Sequence, residues 1–291
     1  MKKLGIFFFL ILWIGVFAQK PVLWIGGVGQ NEDFTYGDAF FFEKGTEQRV
    51  VVEHAKVREA PLYKARQIDS LQINTPIKIL NITTENYTMG IRKAPWYEVS
   101  YRKGNEQKTG YLWGGNLALA YGKKDQTEYL LGAIGTIDLA SSLNSRLVLH
   151  VKLFAFENGK QVDQISFSWG ELNFISMTIG DNKGLEGVKT IVRIDNVGEA
   201  CGVPTLTNYY LWTGKTFYPL NTLTNVSDAG VFYSSAEYIF PSDKGGKKSQ
   251  IIMKAEAAEF DENEKLIKKE KFKATFLWTG ERVILQKPNK K

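Results

Sequence analysis

Cys201 is the one cysteine of the chain, and His54 and His150 are its two histidines. A thiol nucleophile needs an imidazole to take its proton and a polar group to orient that imidazole. In one widespread order the cysteine comes first, then the histidine, then the orienting residue. Here both histidines precede Cys201, and Gly198-Glu199-Ala200-Cys201-Gly202 has no accompanying signature, so Cys201 reads as a partly buried structural thiol. It cannot close a disulfide within the chain. No His-x-His, His-Glu-x-x-His or Cys-x-x-Cys spacing occurs, and neither a metal site nor a cofactor is expected. Asp261-Glu262-Asn263-Glu264 lacks the central glycine and distal glutamate of a calcium loop and reads as a hairpin turn. No Gly-x-Ser-x-Gly elbow or Ser-x-x-Lys motif is present. Trp24-Ile25-Gly26-Gly27-Val28-Gly29 runs into Gln30-Asn31-Glu32-Asp33, which excludes a dinucleotide fingerprint. That leaves Glu171, Asp195 and Glu199, carboxylates in apolar surroundings that would cleave glycans only if the fold paired them; each reads as a strand-end or turn residue.

Aromatic side chains are the other source of chemistry, because rings at the rim of a small domain bind by stacking. Tyr63, Tyr87, Trp96, Tyr97, Tyr101 and Trp113 fall within one stretch of the chain, and Trp96 reads as core. The elements that position them are short strands. Val57 enters a core and Pro61 fixes a turn, since proline cannot donate to a ladder. Ile68 to Leu71 is the next strand, and Ile77, Ile79 and Ile82 begin another. Trp96 and Glu98 alternate with Tyr97, Val99 and Tyr101; Gly104-Asn105 permits a hairpin turn, and Thr109 to Trp113 returns. Asn81 to Ala94 reads as a long loop, a common place for binding residues.

Val57-Arg58-Glu59-Ala60-Pro61, Trp96-Tyr97-Glu98-Val99-Ser100-Tyr101 and Thr109-Gly110-Tyr111-Leu112-Trp113-Gly114-Gly115 fall in the order seen in the bacterial SH3-like domain, which this stretch resembles. The resemblance implies a small five-stranded barrel over residues 50–121, whose loop-tip aromatics form a groove for peptides or the stem peptides of the cell wall; the matching candidates for that ligand-binding groove are Tyr63, Tyr87, Tyr97, Tyr101 and Trp113. Asn81 to Ala94 is longer than the connection most such domains have there.

Around this unit the chain divides by composition. Lys2 and Lys3, the apolar run Leu4 to Gly15 and the small residue Ala18 read as a signal peptide over residues 1–18, cut after Ala18. The run is short of the ~20 residues that span a bilayer, and no later run is long enough, so no transmembrane span is expected in the mature chain. Residues 19–49, with Phe34, Tyr36, Phe40, Phe41 and Phe42, are expected to pack on the barrel. Residues 122–126 read as a polar linker, 127–286 as an antiparallel β domain, and 287–291 as a basic tail. The net charge of +6 becomes +4 once Lys2 and Lys3 are gone (6 − 2), and acidic residues interrupt the lysine groups, which speaks against a nucleic-acid stripe.

From Thr127 on, candidate strands, among them Leu147 to Phe156, Ser249 to Phe260 and Lys265 to Trp278, alternate with turns such as Glu157-Asn158-Gly159-Lys160 and Asp243-Lys244-Gly245-Gly246. Tyr210-Leu211-Trp212-Thr213-Gly214 recurs as Phe276-Leu277-Trp278-Thr279-Gly280, 66 residues later (278 − 212), as duplicated hairpins, as propeller blades or as a coincidence of β-hairpin chemistry. The expected fold is therefore all-β: an SH3-like small barrel followed by a larger antiparallel sandwich or barrel, with propeller-like blades as the alternative. The expected function is non-enzymatic binding in the periplasm or outside the cell, with peptide, peptidoglycan or an envelope protein as partner. The alternatives are a carboxylate-based cell-wall hydrolase and a structural subunit of an envelope assembly.

Overall fold

The computed structural model describes residues 40–138, 147–170, 174–198 and 200–286. The signal-peptide reading, Trp24 and its glycines, Glu171, Glu199 and the basic tail lie outside them. Among the described residues there are nineteen strands, one 3₁₀ turn and no α-helix, and every strand pair is antiparallel. No helix among the described residues is long and apolar enough to cross a membrane.

The first sheet holds β1 (Glu47–Arg49), β2 (Ala55–Arg58), β3 (Gln67–Leu71), β4 (Pro76–Met89), β5 (Arg92–Lys103) and β6 (Glu106–Trp113), in the order β1-β4-β5-β6-β2-β3. Its ends are drawn together by Val50, which bridges Leu117 and exchanges backbone hydrogen bonds with Asn74 and Thr75. The 3₁₀ turn Gly114–Asn116 carries the chain from β6 to that bridge. Val57, Ile77, Ile79, Val99 and Leu112 point inward and are buried. Two expectations change here. Asn81 to Ala94 is no loop: β4 and β5 pair through Asn86↔Pro95 and Met89↔Arg92, with a register shift between Ile82 and Asn86. A bulge of this kind absorbs extra residues while the ladder continues, which breaks the alternation that sequence reading relies on. The first sheet also has six strands rather than five, because Glu47–Arg49 adds to β4.

The second sheet has the order β10-β9-β8-β7, built from β7 (Ala120–Lys124), β8 (Thr127–Asp138), β9 (Leu147–Glu157) and β10 (Lys160–Trp169). The polar stretch 122–126 is thus a hairpin and not a linker: Gly122, Lys123 and Lys124 pair with Tyr129, Glu128 and Thr127. Polarity reflects the exposed outer side of an edge strand, which composition cannot tell from a tether.

The third sheet runs from β11 (Phe174–Gly180) through β12 (Thr190–Val197), β13 (Thr205–Trp212), β15 (Leu223–Asp228), β16 (Phe232–Ile239), β17 (Gln250–Phe260) and β18 (Leu266–Trp278) to β19 (Val283–Gln286), with β14 (Phe217–Pro219) beside β13. The second and third sheets pack face to face: the Tyr129 ring meets Trp212 at 6.3 Å and Phe217 at 6.2 Å between centroids. This is a sandwich contact rather than a propeller. Both copies of the Leu-Trp-Thr-Gly echo lie in the third sheet as equivalent hairpins, with Trp212 opposite Phe217 and Trp278 opposite Val283. In each the threonine N–H donates across the turn, Thr213 to Thr216 and Thr279 to Arg282, and the glycine takes φ of 92° and 94°. The left-handed backbone needed there explains why both copies spell Thr-Gly.

One hydrophobic core runs through all three sheets, from Phe40, Phe42 and Tyr97 through Tyr129 and Leu153 to Ile194 and Trp212. On its other face the second sheet packs Leu130, Phe154 and Phe156 against Val51 and Ala118. A Cβ on Gly132 would lie 2.1 Å from Val51 Cγ2, so only glycine lets the first unit approach this closely.

Candidate functional site

A groove of about 270 Å³ opens where the first sheet meets the second. Its deep wall is aromatic. Trp96 and Trp113 face each other across β5 and β6, each 3% exposed. The Trp113 indole N–H donates to the carbonyls of Tyr87 (3.0 Å) and Ala94 (3.1 Å), which fixes the ring and ties it to the outer part of the β4–β5 hairpin. Tyr87 stands edge-on to Trp113 at 5.5 Å and is tilted to Trp96 at 6.5 Å. Tyr63, in the turn between β2 and β3, reaches across to stack on Tyr87, with centroids 4.6 Å apart and 8° between planes. Tyr63 is half exposed and gives the groove its rim.

Two guanidinium groups complete it. Arg58, at the end of β2, lies with Cζ 5.3 Å from the Tyr63 centroid, and its Nη1 donates to the Ala65 carbonyl at 2.6 Å. Arg92, at the start of β5, lies 5.0 Å from the Trp113 centroid. Its Nη1 donates to the carbonyls of Gly115 (3.1 Å) and Ala133 (2.7 Å), and its Nη2 contacts Met89 Sδ at 3.4 Å. Burial pushes the Arg92 pKa down from its ordinary value, yet a guanidinium keeps its proton in proteins. Because Ala133 belongs to β8, Arg92 is also the bolt between the hairpin and the second sheet, and Ile134 of β8 closes that side of the groove. Aromatic rings interleaved with planar cations can stack on flat groups and donate directed hydrogen bonds.

Of the five rings expected in a groove, the structure brings Tyr63, Tyr87 and Trp113 together. Tyr97 and Tyr101 are corrections: they are 0% and 2% exposed, on the opposite face of β5. The Tyr97 hydroxyl donates to the Phe40 carbonyl (2.8 Å) and accepts from the Phe42 N–H (2.9 Å). That of Tyr101 donates to Asp69 at 3.1 Å, and burial with this carboxylate contact pushes the Tyr101 pKa up to about 12. A strand puts neighbours on opposite faces, so once Trp96 lines the groove, Tyr97 and Tyr101 cannot. Trp96, read as core, is buried and also lines the groove. Arg58 and Arg92 were missed as site residues; the signal available was Arg58 inside the Val57 motif and an arginine just past the β4–β5 turn.

Among the described residues, the catalytic candidates Asp195, Cys201, His54 and His150 stand on separate segments of the chain. Asp195 is buried, paired with Arg193 at 2.9 Å, and accepts a hydrogen bond from Thr207 at 2.6 Å. Cys201 is exposed, not partly buried, because it sits in a turn after β12. His54 is exposed and its Nδ1 meets Gln72 Nε2 at 3.1 Å; His150, on β9, has its pKa lowered by burial and by Lys152. Among the described residues no three His, Cys, Asp or Glu side chains form a group that could hold a metal ion.

No family model, no curated protein and no solved structure matches this chain.

Proposed function

We propose that this chain is an exported, non-enzymatic binding protein whose SH3-like first unit docks short peptides, with the stem peptides of peptidoglycan as the leading ligand and an envelope protein segment as the alternative. One observation carries the reading: Tyr63 and Tyr87 stack over the buried pair Trp96 and Trp113, beside two guanidinium groups, in a groove open to solvent. Three of these four rings stand in or beside the motifs on which the SH3-like resemblance rests, and the fourth, Tyr87, comes from the stretch where the chain is longer than such domains. Rings held by packing lose little conformational freedom when a peptide stacks on them, which is how small modules bind short segments. Export is supported by the sequence of residues 1–18 alone.

The test is retention of the mature chain on purified peptidoglycan and binding of soluble stem peptides by titration calorimetry. Tyr63→Ala is expected to cut retention about tenfold while leaving the fold intact, since removing a stacked ring costs on the order of 1.5 kcal/mol. Absence of retention by the unmodified chain, or equal retention of Tyr63→Ala, overturns the proposal.

A further inference from the structure

We infer that the groove receives the terminal carboxylate of its peptide, and that Arg58 is the residue that binds it. The inference rests on the peptide-binding reading above. Arg58 is 9% exposed as a residue and lines the groove, so the N–H groups that no protein atom engages are open to the groove rather than sealed in the core. Only Nη1 is engaged, on the Ala65 carbonyl; Nε and Nη2 make no hydrogen bond to any described residue, and no described carboxylate pairs with Arg58. Glu59, its neighbour in sequence, is taken by Arg66 at 2.7 Å. Arg92 differs: its Nη groups are spent on Gly115, Ala133 and Met89, so it positions the hairpin instead of meeting a ligand.

Charge points the same way. The lining residues include Lys56, Arg58 and Arg92 against Glu53, a balance of 3 − 1 = +2, with the one carboxylate on an exposed residue. A carboxylate offers two oxygens to a guanidinium fork, and such charge-assisted bonds are the strong ones. The half-exposed Tyr63 ring lies beside the Arg58 guanidinium, with Cζ 5.3 Å from its centroid, and offers apolar surface next to the charge. At about 270 Å³, below the ~300–1,000 Å³ of ordinary ligand pockets, the groove has room for the end of a chain, where one residue and its carboxylate enter together; the amide pool ending in glutamate separates this source from an acidic side chain.

The experiment passes three pools of N-acetyl tetrapeptides over the immobilised full mature chain: free acids, C-terminal amides, and C-terminal amides ending in glutamate. The free-acid pool is expected to be retained at least about tenfold better than the amides, with Arg58→Gln abolishing the preference. Equal retention of acids and amides, or a preference that survives Arg58→Gln, overturns the inference while peptide binding stands. Preference for the glutamate amides overturns the terminal source. If neither these pools nor peptidoglycan is retained, the peptide-binding reading falls as well. The comparison among pools uses the unaltered chain, so a poorly folded Arg58→Gln does not blunt it.

Discussion

Tyr97→Phe separates core from groove with the loss of one oxygen atom. In the structure that oxygen serves two backbone groups, donating to the Phe40 carbonyl at 2.8 Å and accepting from the Phe42 N–H at 2.9 Å, at a site 0% exposed. Taking it away strips each group of this partner where water cannot replace it, at about 1–3 kcal/mol per group. Partial relaxation of the 40–42 segment brings the sum to about 2–4 kcal/mol, a fall in Tm of about 4–16 °C for a chain of this size. The ring itself stays, so packing against Phe42, at 5.6 Å between centroids, is kept and peptidoglycan retention is expected to be unchanged. Tyr63→Ala is the mirror experiment: a half-exposed ring whose loss costs the fold less than ~1.5 kcal/mol but weakens binding. Thermal melts and urea titrations of both variants, run beside retention assays, give the four numbers needed. A Tyr97→Phe protein as stable as the parent but unable to bind would refute the assignment of Tyr97 to the core.

Three further outcomes follow from the packing and the titrating groups. Gly132→Ala places a methyl 2.1 Å from Val51 Cγ2 and 2.8 Å from its Cβ and is expected to destabilise by about 1–3 kcal/mol, a loss that is smaller when measured in a Val51→Gly background; strictly additive losses in the double variant would deny that Val51 packs on Gly132. Burial alone would raise the Asp69 pKa, but hydrogen bonds from Lys103, the Ser70 N–H and Tyr101 outweigh it and hold the carboxyl below its ordinary value. Its contribution is therefore present above the unfolded pKa of about 3.9 and lost as pH falls through the lower folded value, so the Tm gap between parent and Asp69→Asn should shrink from pH 6 to pH 2. Burial, the largest cause at each, pushes Tyr101, Tyr129 and Tyr238 up to about 12, so the folded state holds their protons more tightly than the unfolded chain does, near 10. Stability is kept below pH 10 and lost as pH rises towards 12, seen as phenolate absorbance at 295 nm rising together with loss of β-sheet ellipticity; gradual titration without unfolding would contradict the burial of these rings.

The antiparallel strands were legible wherever alternation was clean. Leu147–Glu157, Gln250–Phe260 and Leu266–Trp278 stand within a residue or two of where the sequence puts them. The short strands Phe217–Pro219, Leu223–Asp228 and Val283–Gln286 were not, because three to six residues carry too few alternations to stand out from a turn. Ala120–Lys124 was hidden by its two lysines, of which Lys123 faces water while Lys124 turns to the Gly180 carbonyl and Asp181. The all-β class, the hairpin turns and the paired Trp-Thr-Gly chemistry were determined by the sequence itself, since each depends on local sterics and a period of two.

Which rings meet was decided only in three dimensions. Alternation says that Trp96 and Tyr97 oppose each other, but not which face turns inward; that depends on Phe40 and Phe42 covering one side of β5. The groove likewise needs Tyr63 of the β2–β3 turn, Tyr87 of β4 and Trp113 of β6 to converge where Arg92 is tied to Ala133 of another sheet. Contacts between residues distant in sequence come from packing a continuous core, and packing has no period that a linear reading can detect.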